Sequence, residues 1–207
     1  MKPVPILIDE DNQKAWIAVA HSTRINERIL SRIGDPMPGS NFTRVADLFP
    51  FERVSDRARA YLRAGLDHLV MWADFAAPFT FHQDQVLNFT LRPTYTLSRA
   101  AIEASAQAVW LMDTRDPKEC IRRHLSLIRW DLNEHHRSKK GAPAEQVMID
   151  IRRRELVNRV SAVFQPEDTA PPRGYLQVIK DACSATGLDL HADTAERLWT
   201  AASGSCR

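Results

Sequence analysis

Three polar residues with the chemistry of a binding site, Arg99, Glu103 and Gln107, interrupt a long apolar segment of the sequence. Because they are four residues apart, they would lie on one face of a helix. If that face points inward, its guanidinium and carboxylate must be paired and hydrogen-bonded, as such groups are at many functional sites. If it faces solvent, the residues form a surface ion pair that contributes about 0.3 kcal/mol. The sequence leaves both interpretations open, and the first predicts a ligand-binding stripe.

A second polar set, His124, Asp131 and His135, also falls on one helical face, since its members are separated by seven and four residues. Two imidazoles and a carboxylate are chemically adequate ligands for a divalent metal ion. Their spacing matches neither the HExxH motif nor the Glu-x-x-His pair of di-iron bundles. We therefore assign no metal ion and no cofactor and favour histidines at a polar helix end. A metal-dependent enzyme is kept as an alternative.

Arg129 is followed by His135 and His136 after five and six intervening residues. In this pairing the chain resembles the HEPN superfamily of helical bundles, and residues 97–113 look like the central helix of some bacterial proteins in that neighbourhood. The resemblance implies either a metal-independent ribonuclease, in which such an Arg and His meet across a dimer, or an inactive interaction or nucleotide-binding module. In HEPN enzymes the pair usually lies toward the last helices, whereas residues 199–207 hold no histidine here. That departure indicates a non-catalytic relative or a truncated chain.

Positive charge is concentrated between residues 115 and 154, where eleven Lys and Arg stand against six acids. Such an excess suits phosphate binding and makes nucleic acid a candidate partner. The whole chain carries a formal charge of only +2 at pH 7, which is too small to attract nucleic acid or an anionic membrane by its overall field. A solvated basic helix face is therefore the favoured interpretation of this segment.

The cysteines and serines give little support for nucleophilic catalysis. Cys120 would lie one helical turn before His124, but the chain has no GxSxG motif and no CxxC pair. Its three cysteines are far apart, its N-terminus lacks a signal-peptide pattern, and no apolar run is long enough to span a membrane. These features predict a cytoplasmic protein with reduced thiols and no membrane partner.

The composition favours helices over strands. Seven glycines in 207 residues are too few for the turns of a β-sandwich, whereas Ala, Leu and Arg are abundant. Residues 93–113 predict the most secure helix, because Pro93 suits a first turn and no other Pro or Gly follows before the end of the segment. Since this helix is apolar on most of its circumference, we expect it in the middle of a bundle.

Six further helices are predicted from apolar periodicity and from helix start and stop signals. They cover residues from 9 or 11 to 33, 51–77, 117–138, 144–164, 175–186, and from 193 onward. The Pro- and Gly-rich residues 34–50 predict a loop, residues 79–92 fit neither state, and residues 165–174 are the most linker-like stretch.

Together these elements predict an all-α bundle of about six or seven helices around the central apolar helix at 93–113, in a single domain spanning residues 1–207. So many apolar faces in a chain of this size also predict a homodimer or a partner protein. Because recognised catalytic motifs are missing, the leading hypothesis is a non-catalytic interaction or ligand-binding module. A HEPN-type ribonuclease using Arg129 with His135 or His136 is the first alternative, and a metal-dependent helical-bundle enzyme is the second.

Overall fold

The computed structural model describes residues 9–77, 91–185 and 187–204, and these residues form eight α-helices and no β-strand. The all-α prediction is confirmed, and no helix in these ranges is long and apolar enough to cross a membrane. The helices are α1 (Glu10–Arg32), α2 (Asn41–Leu48), α3 (Val54–Ala76), α4 (Leu91–Met112), α5 (Pro117–Ser138), α6 (Pro143–Val160), α7 (Tyr175–Cys183) and α8 (Ala192–Gly204).

Seven of these helices correspond to predicted ones, because apolar spacing or a start signal in the local sequence indicates each of them. Asp9 and Asp116 begin α1 and α5, where their carboxylates accept hydrogen bonds from the Asn12 and Lys118 backbone N–H groups at 2.9 Å and 3.0 Å. The largest difference is at α6, which ends at Val160 rather than at residue 164. Most of the segment left without an assignment, residues 79–92, lies outside the described residues.

The predicted loop over residues 34–50 is wrong in its second half, where α2 forms. Ser40 begins this helix, because its side chain accepts a hydrogen bond from the Thr43 backbone N–H. Val45 and Phe49 are four residues apart and buried, so the helix packs one apolar face into the core. The Pro and Gly residues that indicated a loop flank this helix and do not interrupt it.

Helix α4 packs against α3, α5, α7 and α8. Its contact with α3 is close at Gly65, where a Cβ atom would lie only 2.6 Å from the Ser105 hydroxyl oxygen. The buried residues of α4 all lie between Ala101 and Leu111, and its first turns stay partly exposed. A position at the centre of the bundle therefore remains a prediction for this helix.

Buried apolar side chains form two main clusters that meet along α4. The first cluster joins α4 to α2, α3, α5 and α6, and the second joins it to α5, α7 and α8. Representative members of the first are Phe49, Val54, Leu111, Leu125 and Val160, and of the second Trp110, Leu127, Val178 and Ile179. Helix α1 packs on α3 in a smaller cluster, and α6 packs mainly on α5, so these two helices lie at the periphery.

Residues 165–174, predicted to be linker-like, are held firmly against α5. The Arg122 guanidinium donates a hydrogen bond to the Asp168 carbonyl oxygen at 3.2 Å. Arg129 donates to the Pro166 carbonyl oxygen and, at 2.8 Å, to the hydroxyl oxygen of the buried Thr169. Two arginines of one helix thus fix this segment, which we call the strap.

Candidate functional site

The polar stripe of α4 lies against α8. The Arg99 Nε donates a hydrogen bond to the Glu103 Oε1 at 2.8 Å, and the Trp199 indole N–H donates to the same oxygen at 2.8 Å. The Arg99 guanidinium also lies 5.1 Å from the centre of the Trp199 ring, within the range of a cation–π contact. The Glu103 side chain is only 17% exposed, so its charge is held by two internal donors rather than by water.

Gln107 continues the stripe toward α7. Its side chain is buried and lies near Tyr175 of α7. Burial raises the pKa of Tyr175, the nearby carboxylates of Glu103 and Asp131 raise it further, and the contact with Gln107 opposes them. The Tyr175 ring packs against Trp130 of α5, with ring centres 4.5 Å apart. The stripe therefore connects α4 to the C-terminal helices, and its role in ligand binding stays a prediction.

A polar cluster that sequence reasoning missed adjoins the stripe. Arg57 of α3 forms an ion pair with Asp131 of α5, and its Nε donates to the Tyr61 hydroxyl at 3.2 Å. Burial, with the Asp131 carboxylate, raises the pKa of Tyr61 to about 12. In the sequence, only the contact between Arg57 and Tyr61 could have been expected, since these residues are four apart on one helix. Asp131 is 74 residues from Arg57, so no local pattern indicates that pair.

The three candidate metal ligands do not converge. His124 is fully buried, and its Nε2 lies 3.4 Å from the Glu52 carboxylate, whereas Asp131 is paired with Arg57 and His135 is exposed. Residues seven apart on a helix are separated by about 10 Å along its axis, which is too far for two ligands of one ion. Among the residues that the structure describes, no group of three or more His, Cys, Asp or Glu could hold a metal ion.

Arg129 and His136 are likewise engaged in separate contacts, and His135 is exposed. Arg129 anchors the strap, and burial together with the neighbouring Arg153 lowers its pKa. The His136 Nε2 lies 3.6 Å from the Asp150 carboxylate of α6, and His135 faces away from that contact into solvent. The ribonuclease interpretation stays a prediction, with the guanidinium it requires already bound to two oxygens of the same chain.

Most of the basic residues between 115 and 154 are used inside the protein. Seven of the eleven contact an acid, a carbonyl oxygen, another side-chain oxygen or an aromatic ring. Arg123 is typical, since it binds Glu119 and also the Trp110 and Asp113 carbonyl oxygens. Four side chains make no hydrogen bond or ion pair within the described ranges: those of Arg115, Lys140, Arg152 and Arg154. Four of the eleven basic side chains are therefore without an internal partner in the described residues, and binding of nucleic acid stays a prediction.

Cys120 is almost fully buried, and its Sγ lies 3.5 Å from the Leu111 carbonyl oxygen. Burial raises the pKa of the Cys120 thiol to about 11. A nucleophilic cysteine needs the opposite environment, one that stabilises the thiolate. The residue therefore contributes to core packing.

The outer face of α6, formed by Val147, Met148 and Ile151, is the surface that sequence reasoning overlooked. These residues are 55%, 60% and 38% exposed, although they share one side of the helix. The opposite side of α6 packs on α5 through the buried Ile149 and Val160. The sequence of α6 already indicated an exposed apolar face, because the helix is apolar on two sides. A peripheral helix needs only one apolar face to pack on the core.

A basic groove runs beside this outer face, between α5 and α6. It has a volume of about 300 Å³ and an apolar floor formed by Ile128, Leu132 and Leu156. Arg152 and Arg159, two helical turns apart, also line it, and one carboxylate, that of Glu155, lies between them in the sequence. The Arg159 guanidinium lies over the Phe51 ring at 5.8 Å, and Arg152 has no partner in the described residues. The outer face and the groove together form a surface with both apolar and cationic groups.

Comparison of the chain with models of protein families, with curated proteins and with solved structures finds no significant match.

Proposed function

We propose that this protein is a non-catalytic interaction module that associates with a second copy of itself through the outer face of α6. The observation that carries the proposal is the pair of apolar faces on α6, of which α5 covers one and Val147, Met148 and Ile151 form the other. Exposed apolar residues grouped on one helix face are typical of protein–protein contacts, whereas scattered ones are not.

The charges beside this face favour a second copy as the occupant. Glu145 and Arg152 are seven residues apart, so they lie on the same flank of α6. In an antiparallel pair of identical helices related by a twofold axis, Glu145 of each copy would lie opposite Arg152 of the other. Glu145 already binds Lys139 at 2.6 Å, and a carboxylate accepts several donors, whereas Arg152 has no partner within the described residues.

Helix α1 carries a competing apolar stripe, but its charges fit self-association less well. Ile25, Ile29 and Ile33 are exposed at intervals of four residues. Arg28 and Arg32 flank this stripe, and no acid lies on its other side. Antiparallel copies would therefore bring like charges together, which disfavours the contact.

The test is sedimentation velocity over a concentration series, because a contact between single helices is small and we expect dissociation constants of about 1–100 μM. Met148→Lys should abolish the concentration-dependent dimer. Met71→Lys is the matched control, since Met71 of α3 is also 60% exposed but lies on another surface. A wild-type protein that stays monomeric throughout the series, or equal behaviour of the two variants, would refute the proposal.

Charge exchange tests the orientation of the two helices. Glu145→Arg and Arg152→Glu should each weaken the dimer, because each places like charges opposite one another in the antiparallel pair. The double variant should recover the wild-type dissociation constant, since the ion pair is then restored in reverse. Additive weakening in the double variant would contradict the antiparallel arrangement.

A further inference from the structure

A second cavity, separate from α6, lies between α4, α5, α7 and the strap. Its volume is about 370 Å³, at the lower end of the range for small-molecule sites. Trp110 of α4 and Pro171 and Pro172 of the strap supply apolar walls. Arg122 of α5, Arg173 of the strap and Asp181 of α7 supply the charged groups.

The wall of this cavity is preorganised. Residues 166–169, just before the cavity-lining part of the strap, are fixed by Arg122 and Arg129 of α5. Pro171 and Pro172 then restrict the backbone, because each pyrrolidine ring holds φ near one value. A ligand would therefore meet a wall that is already in place, which lowers the entropic cost of binding.

The unused hydrogen-bond donors around the cavity favour an anion. Arg173 makes no hydrogen bond or ion pair with any residue in the described ranges, so all five of its N–H donors are available. Arg122 uses three of its donors on Glu119 and the Asp168 carbonyl oxygen and retains two. Two carboxylates oppose these cations: Glu119 is paired with Arg122 at 2.6 Å, and the Asp181 Oδ1 accepts a hydrogen bond from Gln177 at 2.7 Å.

We infer that this cavity binds a small organic anion with a planar apolar body, such as an aromatic monocarboxylate. The carboxylate would lie between Arg173 and Arg122, where planar guanidinium groups match its two oxygens. The ring would lie against Trp110 and the two prolines, which offer apolar and aromatic surface. Asp181 limits the site to one negative charge, because a second would face its carboxylate.

Isothermal titration calorimetry with indole-3-acetate tests the site, and indole-3-acetamide is the neutral probe of the same shape. We expect the carboxylate to bind about tenfold more tightly than the amide, since charge-assisted hydrogen bonds are lost with the charge. Arg173→Gln should weaken binding of indole-3-acetate about tenfold. Asp181→Asn should strengthen it, because the repelling carboxylate is removed.

Arg115→Gln is the matched control, because Arg115 is another exposed arginine without a partner in the described residues and does not line the cavity. It should leave the affinity unchanged. Equal affinity for the acid and the amide, no effect of Arg173→Gln, or absence of binding by the folded wild-type protein would overturn the inference. The result is independent of self-association through α6, since the cavity and the outer face share no residue.

Discussion

On α4, the polar stripe of Arg99, Glu103 and Gln107 lies against α7 and α8, and the Trp199 indole N–H of α8 donates a hydrogen bond to Glu103. On α6, the apolar side chains of Val147 and Met148 are exposed, with no helix of the described residues packed against them. The α4 stripe is polar on a helix that is otherwise mostly apolar, whereas the outer face of α6 is a second apolar side on a peripheral helix. In the sequence, the α4 stripe was easier to recognise. A polar residue on an apolar helix thus indicates a polar contact with another helix of the same chain. An exposed apolar face is the better candidate for a contact with another molecule.

The largest expected effect is at the partnered face. Glu103→Ala should lower the free energy of unfolding by about 2 kcal/mol, because it leaves the half-buried Trp199 N–H and the Arg99 guanidinium without their acceptor. Urea denaturation at pH 7 measures this loss. Glu27→Ala on α1 is the control, since Glu27 is exposed and has no partner in the described residues, and its effect should stay below about 0.5 kcal/mol. Similar losses in both variants would show that the stripe is an ordinary surface ion pair.

The contribution of the indole N–H alone is smaller. Trp199→Phe should cost about 1 kcal/mol in the wild-type background, where the N–H bonds Glu103. In the Glu103→Ala background the same change should cost clearly less, because the acceptor is already gone. A loss of packing would persist in both backgrounds, so equal costs would mean that the hydrogen bond does not stabilise the protein.

The Glu52 carboxylate is intermediate between the partnered and the exposed face, because it is half-exposed and faces the buried His124 of α5. The contact with His124 lowers the pKa of Glu52 from its usual 4.5, and partial burial of the carboxylate opposes this effect. A carboxyl with a lowered folded-state pKa stabilises the protein above its unfolded-state value, and this contribution is lost as the pH falls through the folded-state pKa. Below about pH 4.5, the free energy of unfolding of Glu52→Gln should therefore fall less steeply with pH than that of the wild type.

Urea midpoints measured between pH 7 and pH 3 on the wild type and on Glu52→Gln would show this difference. Glu27→Gln serves as the control, because Glu27 has no partner in the described ranges. Parallel pH profiles for the wild type and Glu52→Gln would mean that the contact with His124 does not stabilise the folded state.

The smallest expected effect on stability is at the face without a partner. Met148→Lys should change the free energy of unfolding of the monomer by less than about 0.5 kcal/mol, since the side chain is already exposed to water. Chemical denaturation well below the dimer dissociation constant gives this value. A loss as large as that of Glu103→Ala would show that Met148 belongs to the core, and the contrast between the two faces would disappear.

The helices were the predictable part of the fold, for a local reason. Helix α5 was predicted with its observed ends because Asp116 and Pro117 begin it and its apolar residues recur at helical spacing. Helix α2 was missed, since eight residues hold too few turns for periodicity to outweigh the surrounding prolines and glycines. Its stability comes from burial of Val45 and Phe49 against other helices, which no local pattern reports.

The candidate sites were less predictable, because sharing a helix face is not the same as meeting in space. His124 and Asp131 do share a face of α5, yet they bind Glu52 and Arg57 at separate levels of the bundle. Arg129 was grouped with the nearby histidines, whereas it binds the strap about 40 residues later in the chain. The spacing of residues along one helix gives the angle of each side chain around the helix axis. It does not show which other element of the chain lies against that side chain.

The sequence by itself determined that this chain is helical, where most of its helices begin and end, and that Arg99, Glu103 and Gln107 share one face of α4. The tertiary structure alone decided that this face meets Trp199, 96 residues away from Glu103, and that the outer face of α6 meets nothing within the described chain. The physical reason is the range of the interactions. Helix formation depends on groups a few residues apart, whereas burial and pairing depend on groups that only the packing of the whole bundle brings together.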